Sequence, residues 1–186
     1  QAVEGYRTDV KAIPFDLLWW PWFKDKVQAN FPDVHIPGKV YRYQPNSRGE
    51  FNLDQLFDAN QHLPIYIGKL RDDEMKVATQ DYQLWNVGFL YKVVPSGVPF
   101  DLSVFQKEAA PFKAFPAPKK SDIRDRSWEA FVYYNYYDRE LDRARQVFAE
   151  SEKRGLDLDY IAYGASLIEK VIENQDDAPP RAFRNL

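Results

Sequence analysis

Trp19-Trp20-Pro21-Trp22 sets three indoles within four positions, the most conspicuous cluster of ligand-stacking side chains in the chain. Indoles stack on sugar rings and line binding faces. Neighbouring helix positions point about 100° apart, so three such rings cannot all face one core. At least one is therefore expected to be exposed or to touch something outside its own subdomain. Three roles fit: a sugar-stacking or acceptor platform, a contact with the membrane portion of a longer protein, or packing between two layers of the fold. Arg7 and Asp9 flank the entrance of an expected strand. Ligands of open α/β sheets gather at the carboxyl ends of strands, and these two lie at an amino end, so a mutual salt bridge or turn hydrogen bond competes with ligand binding. The acidic groups Asp157-x-Asp159, Asp72-Asp73-Glu74 and Asp176-Asp177 lack calcium-loop spacing and read as solvated charge. A glycosidase-type carboxylate pair is defined by separation in space and stays open. His35 and His62 accompany no triad-like arrangement and are too few for most zinc sites. No Walker or dinucleotide glycine loop is present, and no cofactor or metal is expected.

The elements that must position these residues fall into two halves. Residues 10–15 read as a buried strand, 19–31 as an aromatic helix, and 36–52 as a turn-rich surface loop. Asn52 is placed to cap a helix running through Asn60, with Leu53, Leu56 and Phe57 on one face. Residues 64–68 and 88–94 read as further strands bounded by breakers. Strand, helix, helix, strand at these lengths predicts an α/β layer over 1–96: a small, partly parallel sheet with flanking helices. Pro95, Pro99, Pro111, Pro116 and Pro118 mark 97–120 as a proline-rich linker with room for a short helix at 101–110. Residues 121–186 are expected to be helical. Ala130, Tyr134, Tyr137, Leu141, Ala144 and Phe148 form one stripe, leaving Tyr133 and Tyr136 to pack a neighbouring helix or bind a partner. Gly155 punctuates, and 160–174 supplies a second helix before Pro179-Pro180. Leu141, Ala144 and Phe148 fit the second helix of a tetratricopeptide unit, with an ordinary helical hairpin as the alternative.

Composition bounds what such a chain can do. Over 186 residues, 45% hydrophobic and 16% aromatic content predict a folded protein. A net charge of −3 offers no electrostatic footprint for nucleic acid. The lack of cysteine removes disulfides, thiol nucleophiles and thiolate metal sites. No apolar run approaches the ~20 residues of a bilayer span. The opening reads as a helix terminus at Glu4-Gly5 followed by a turn, and the only methionine is Met75, so a domain of a longer protein is expected.

Several short motifs occur in a fixed order: Glu4-Gly5-x-Arg7-x-Asp9, Trp22-Phe23, Pro32-x-Val34-x-x-Pro37-Gly38, Phe51-Asn52-Leu53 with Leu56 and Asn60, and Tyr82-x-Leu84-Trp85-x-x-Gly88 with Lys92-x-Val94-Pro95. Together they resemble the C-terminal extramembrane region of the transmembrane protein 260 family, also called domain of unknown function 2723. Thr8 departs from the proline that the family commonly shows there. The resemblance implies a polytopic membrane glycosyltransferase of the GT-C, O-mannosyltransferase-like type, using a lipid-linked sugar donor. It implies that the catalytic loop lies among transmembrane helices outside this chain.

On the residues and the resemblance together, the expected function is a non-catalytic extracytoplasmic domain on the periplasmic side of a bacterial membrane. Its partners would be its own transmembrane portion and a glycan, lipid-linked sugar or acceptor protein, with no nucleic acid. Arg7, Asp9, Trp19, Trp20, Trp22, Asn52 and Trp85 are the candidate ligand-binding residues, and none is assigned to catalysis. An interaction scaffold built on helical repeats is the alternative, and an independent soluble enzyme the third possibility.

Overall fold

The computed structural model describes residues 10–42, 48–68, 81–113, 117–120 and 127–174. The chain divides into two compact units, one of Gln1–Ile65 with Leu70–Gln83 and one of Tyr66–Lys69 with Leu84–Leu186.

In the amino-terminal unit, Pro14 starts a 3-10 turn over Phe15–Trp19, with the Leu17 amide donating to the Pro14 carbonyl at 3.0 Å. This corrects the strand expected over 10–15. Proline fixes its own φ and removes a donor, and an i→i+3 bond withdraws the backbone from extended pairing. Helix α1, Pro21–Asn30, follows with proline in its first turn, where a missing N–H matters least. Leu18 and Val27 turn inward and are buried, as are Val34, Ile36, Tyr41, Phe51, Leu53, Phe57 and Tyr82. Tyr41 forms an isolated parallel bridge with Phe51. Helix α2, Leu53–Asp58, begins at Asn52 as expected, through a reciprocal capping box with Gln55 at 3.0 Å in both directions. It stops short of Asn60, whose side chain instead ties the turn to residue 35. The Asn60 Nδ2 donates to the His35 and Leu56 carbonyls, and its Oδ1 accepts from the His35 amide at 2.8 Å.

The second unit holds a three-stranded sheet in the order β1-β3-β2, with β1 Tyr66–Ile67, β2 Tyr82–Asn86 and β3 Tyr91–Pro95. The first two residues of β2 cluster with the amino-terminal unit. The class is mixed α/β as expected, but the sheet is antiparallel where a parallel component was predicted. β1 pairs β3 antiparallel, with Tyr66 opposite Lys92. The four residues joining β2 to β3 are too few for a parallel crossover. Gly88 sits in that turn at φ +124, rather than opening a strand, and a Cβ there would lie 2.5 Å from the Phe112 ring. β1 is also half-exposed rather than buried.

Among the described residues of this unit, three helices accompany the sheet. Within the proline-rich stretch, α3 runs over Leu102–Lys113 with Pro111 in its last turn. Asp101 caps it, its Oδ1 accepting from the Val104 amide at 2.9 Å and the Ser103 hydroxyl at 2.7 Å. Helix α4, Trp128–Lys153, starts at the Ser127 cap. It ends in paired bonds from the Gly155 amide to Glu152 and the Leu156 amide to Ser151, with Gly155 at φ +78. Helix α5, Leu158–Glu173, is capped by Asp157. Gly164 lets the Phe148 ring approach, since a Cβ there would meet it at 2.8 Å.

The α4 stripe differs from expectation at one position. Tyr134 is 38% exposed while Tyr133, Tyr136 and Tyr137 are buried, so the inward face is turned from the predicted one. That rotation brings charges inside. Glu140 and Arg143 are fully buried; Arg143 donates to Glu140 at 2.9 Å and to the Tyr163 hydroxyl at 2.8 Å, and Lys170 donates to Glu140 at 2.6 Å. Phe112 lies beneath the Arg143 guanidinium, and Arg139 reaches the Tyr91 hydroxyl.

Candidate functional site

Two surfaces have the chemistry of a binding site. The first is a groove of about 760 Å³ in the second unit, within the range of small-ligand sites. It lies where the residues leading into α3 face the first turns of α5 and the end of α4. Phe100 and Tyr160 line it, with ring centroids 6.0 Å apart, and Tyr163 continues the wall. The Phe100 carbonyl accepts from both the Arg154 guanidinium and the Tyr160 hydroxyl. The guanidinium also stacks over the Tyr160 ring at 5.0 Å, which fixes its orientation. Asp101, Ser103, Gln106 and Asp159 supply hydrogen-bonding groups around these rings. Hydrogen bonds from Ser103 and the Val104 amide hold the Asp101 carboxyl below its ordinary pKa, so it presents a negative charge at neutral pH. Rings flanked by carboxylate, amide and guanidinium groups suit a ligand that has both an apolar face and several hydroxyl or amide groups.

The second surface is in the amino-terminal unit, where Trp19, Trp20 and Trp22 are 37%, 51% and 53% exposed. Lys26 Nζ lies 5.2 Å from the Trp22 ring centre, and Phe23 meets that ring edge-on. Asn52 belongs to the same unit, but its side-chain oxygen accepts from the Gln55 amide and its backbone amide donates to the Gln55 side chain, so it serves the α2 cap. Trp85 lies in the second unit and is 2% exposed, packed against Phe100 at 5.0 Å; it backs the groove rather than lining it. Its Nε1 has no hydrogen-bond partner among the described residues. Arg7 and Asp9 lie outside the described residues, as do Asp72-Asp73-Glu74, Asp176-Asp177 and Pro179-Pro180.

Of the groove residues, Phe100, Gln106, Arg154 and Tyr160 carry no site signal in the sequence, and Asp159 reads there only as solvated charge. Asp101 and Asp157 were readable as caps ahead of apolar-periodic runs. Their convergence depends on tertiary packing of segments some 55 positions apart. A carboxylate group of a different kind sits on α2. Burial, then the nearby Asp81 and Asp58, push the Asp54 carboxyl above its ordinary pKa, and its Oδ1 lacks a partner among the described residues. Among those residues no group of three or more histidines or carboxylates is arranged to hold a metal ion. No described helix is long and apolar enough to cross a membrane.

Comparison with known proteins relates the chain to glycosyltransferases that act on proteins. It is 22% identical over 191 aligned positions, covering 98% of its length, to the protein O-mannosyl-transferase TMEM260 of Mus musculus. It is 28% identical over 138 positions, covering 69% of its length, to protein O-mannosyl-transferase tmem260 of Dictyostelium discoideum. The chain spans only 27% and 16% of the length of these two relatives. No family model and no solved structure matches it.

Proposed function

We propose that this chain is an extramembrane domain of a glycosyltransferase-like membrane protein, and that it binds the acceptor rather than performing sugar transfer. The observation that carries this reading is the similarity to the mouse O-mannosyl-transferase along 98% of the chain. In the finer form of the proposal, the whole protein is of the GT-C type, takes a lipid-linked sugar, and holds this domain on the extracytoplasmic face of a bacterial membrane. The groove bounded by Phe100, Arg154 and Tyr160 is where an acceptor would rest, with Asp159 and Gln106 contacting its polar groups.

The test uses the complete membrane protein. Asp159→Ala and Gln106→Ala should each raise the acceptor KM roughly tenfold with kcat nearly unchanged, because each removes a binding contact and no reacting group. A fall in kcat at constant KM, or turnover of a sugar donor by the 186-residue chain alone, would overturn the reading.

A second reading, an interaction scaffold with tetratricopeptide-like helices, is favoured by one observation. Trp128 and Phe131 stand 81% and 58% exposed near the start of α4, their rings T-shaped with centroids 5.8 Å apart. Under that reading the Trp128→Ala variant loses a protein partner while the groove variants keep it.

A further inference from the structure

We propose that the edge bearing Trp19, Trp20 and Trp22 is a lipid-surface contact, at which the indoles enter the headgroup zone of a bilayer. Its biological setting rests on the membrane-protein reading above; its chemistry does not.

The edge is built to face outward. Leu17 is 37% exposed beside the three indoles, whereas Leu18 between them is 1% exposed. The Leu18 carbonyl accepts from the Tyr41 amide at 3.0 Å, and the Phe15 ring meets Tyr41 at 5.8 Å. A short turn thus clamps one leucine inward and holds four large apolar side chains outward on a fixed support. Presenting that much apolar surface to water is unfavourable, and a facing apolar or interfacial medium would remove the penalty.

The details favour a bilayer over a sugar. A stacked sugar needs an open ring face with hydrogen-bonding groups beside it. On Trp22 one face is covered by Lys26, and Phe23 abuts the ring edge-on. An exposed ammonium held over an indole face leaves that face closed to a sugar ring, while an indole edged by an exposed lysine is a pairing common where apolar and aqueous phases meet. Charge points to the type of surface. Between residues 15 and 30 the ionisable groups are Asp16, Lys24, Asp25 and Lys26, two negative and two positive, for a net of zero. Attraction to anionic lipid therefore contributes little, and indole partitioning into a zwitterionic headgroup layer dominates. In a domain tethered to its own membrane, even weak partitioning is effective, because the local concentration is high.

The 186-residue chain should bind phosphatidylcholine vesicles, with its tryptophan emission shifted to the blue and quenched by brominated lipid. Replacing Trp19, Trp20 and Trp22 together by serine should lower the partition coefficient at least about tenfold. Adding phosphatidylglycerol should change binding less than about threefold. Trp20→Phe, which keeps an apolar ring, checks that the fold is intact and should retain most binding. Trp128→Ser, which removes the exposed indole of the other unit, should leave it unchanged. The proposal is overturned if the wild-type chain ignores vesicles, if the triple variant still binds, or if Trp128→Ser alone abolishes binding. It is equally overturned if soluble oligosaccharide, and not lipid, perturbs these indoles. Vesicle binding together with intact acceptor KM in the groove variants would sink the functional reading alone; altered KM without vesicle binding would sink only the lipid contact.

Discussion

In the amino-terminal unit three tryptophans face outward and α2 is secured by a side-chain cap. The second unit also exposes Trp128 and Phe131, but there Trp85 is closed off. Phe112, Tyr136 and Tyr163 from α3, α4 and α5 gather about Arg143, which with its partner Glu140 has no access to solvent. The contrast shows two ways of using a high aromatic content. One leaves rings available for an external surface and depends on local hydrogen bonds for order. The other uses rings as a low-dielectric jacket around an ion cluster, which makes each charged member depend on the rest.

The largest test of this contrast is Glu140→Ala. It leaves Arg143 and Lys170 without their carboxylate and should destabilise the second unit by about 3–5 kcal/mol in urea unfolding followed through the Trp85 environment. A loss below about 1 kcal/mol, the scale of exposed pairs, would show that the cluster is solvated and the contrast false. An intermediate effect is expected in the other unit, where Asn52→Ala removes the α2 capping box and should cost about 1 kcal/mol. The smallest concerns Asp54. Because its folded pKa is raised, its ionised form weakens the fold at pH values above that pKa, and the penalty fades as pH falls toward the ordinary carboxylate range. Asp54→Asn should therefore raise the melting temperature at neutral pH and flatten its dependence on mild acidification. An unchanged slope would assign the pH dependence to other groups.

Much of this organisation was legible in the sequence, and the failures have physical causes. Asn52 with Gln55 three positions later announces a helix start from local chemistry alone, and that start is where α2 begins. The paired apolar stripes of the last third likewise specify two helices joined at Gly155. Val10 to Phe15 misled because apolar content outweighed Pro14, whose ring dictates the turn. The β-favouring aromatic run Tyr82-Gln83-Leu84-Trp85-Asn86 lacks strict alternation and reads only as a motif, and without it the antiparallel hairpin could not be seen. The buried charges were invisible because a stripe drawn through Tyr134 hides Arg139, Glu140 and Arg143 on what looks like a wet face. Of the candidate site residues, exposure of an indole was foreseeable from crowding. The groove was not, since it arises from residues far apart in the chain.

Tyr66 and Ile67 belong to the second unit, yet the chain on either side of them counts with the first, so the first unit is discontinuous. Tyr66 must wait for Lys92, 26 positions later, before its backbone can pair. As the polypeptide emerges during synthesis, neither unit can be completed while the other is untouched: the early one lacks its returning segment until residue 83, by which point the first strand of the later one has already been laid down. A single cut anywhere between residues 65 and 84 would strand a segment away from its own unit, so no one truncation point yields both units whole.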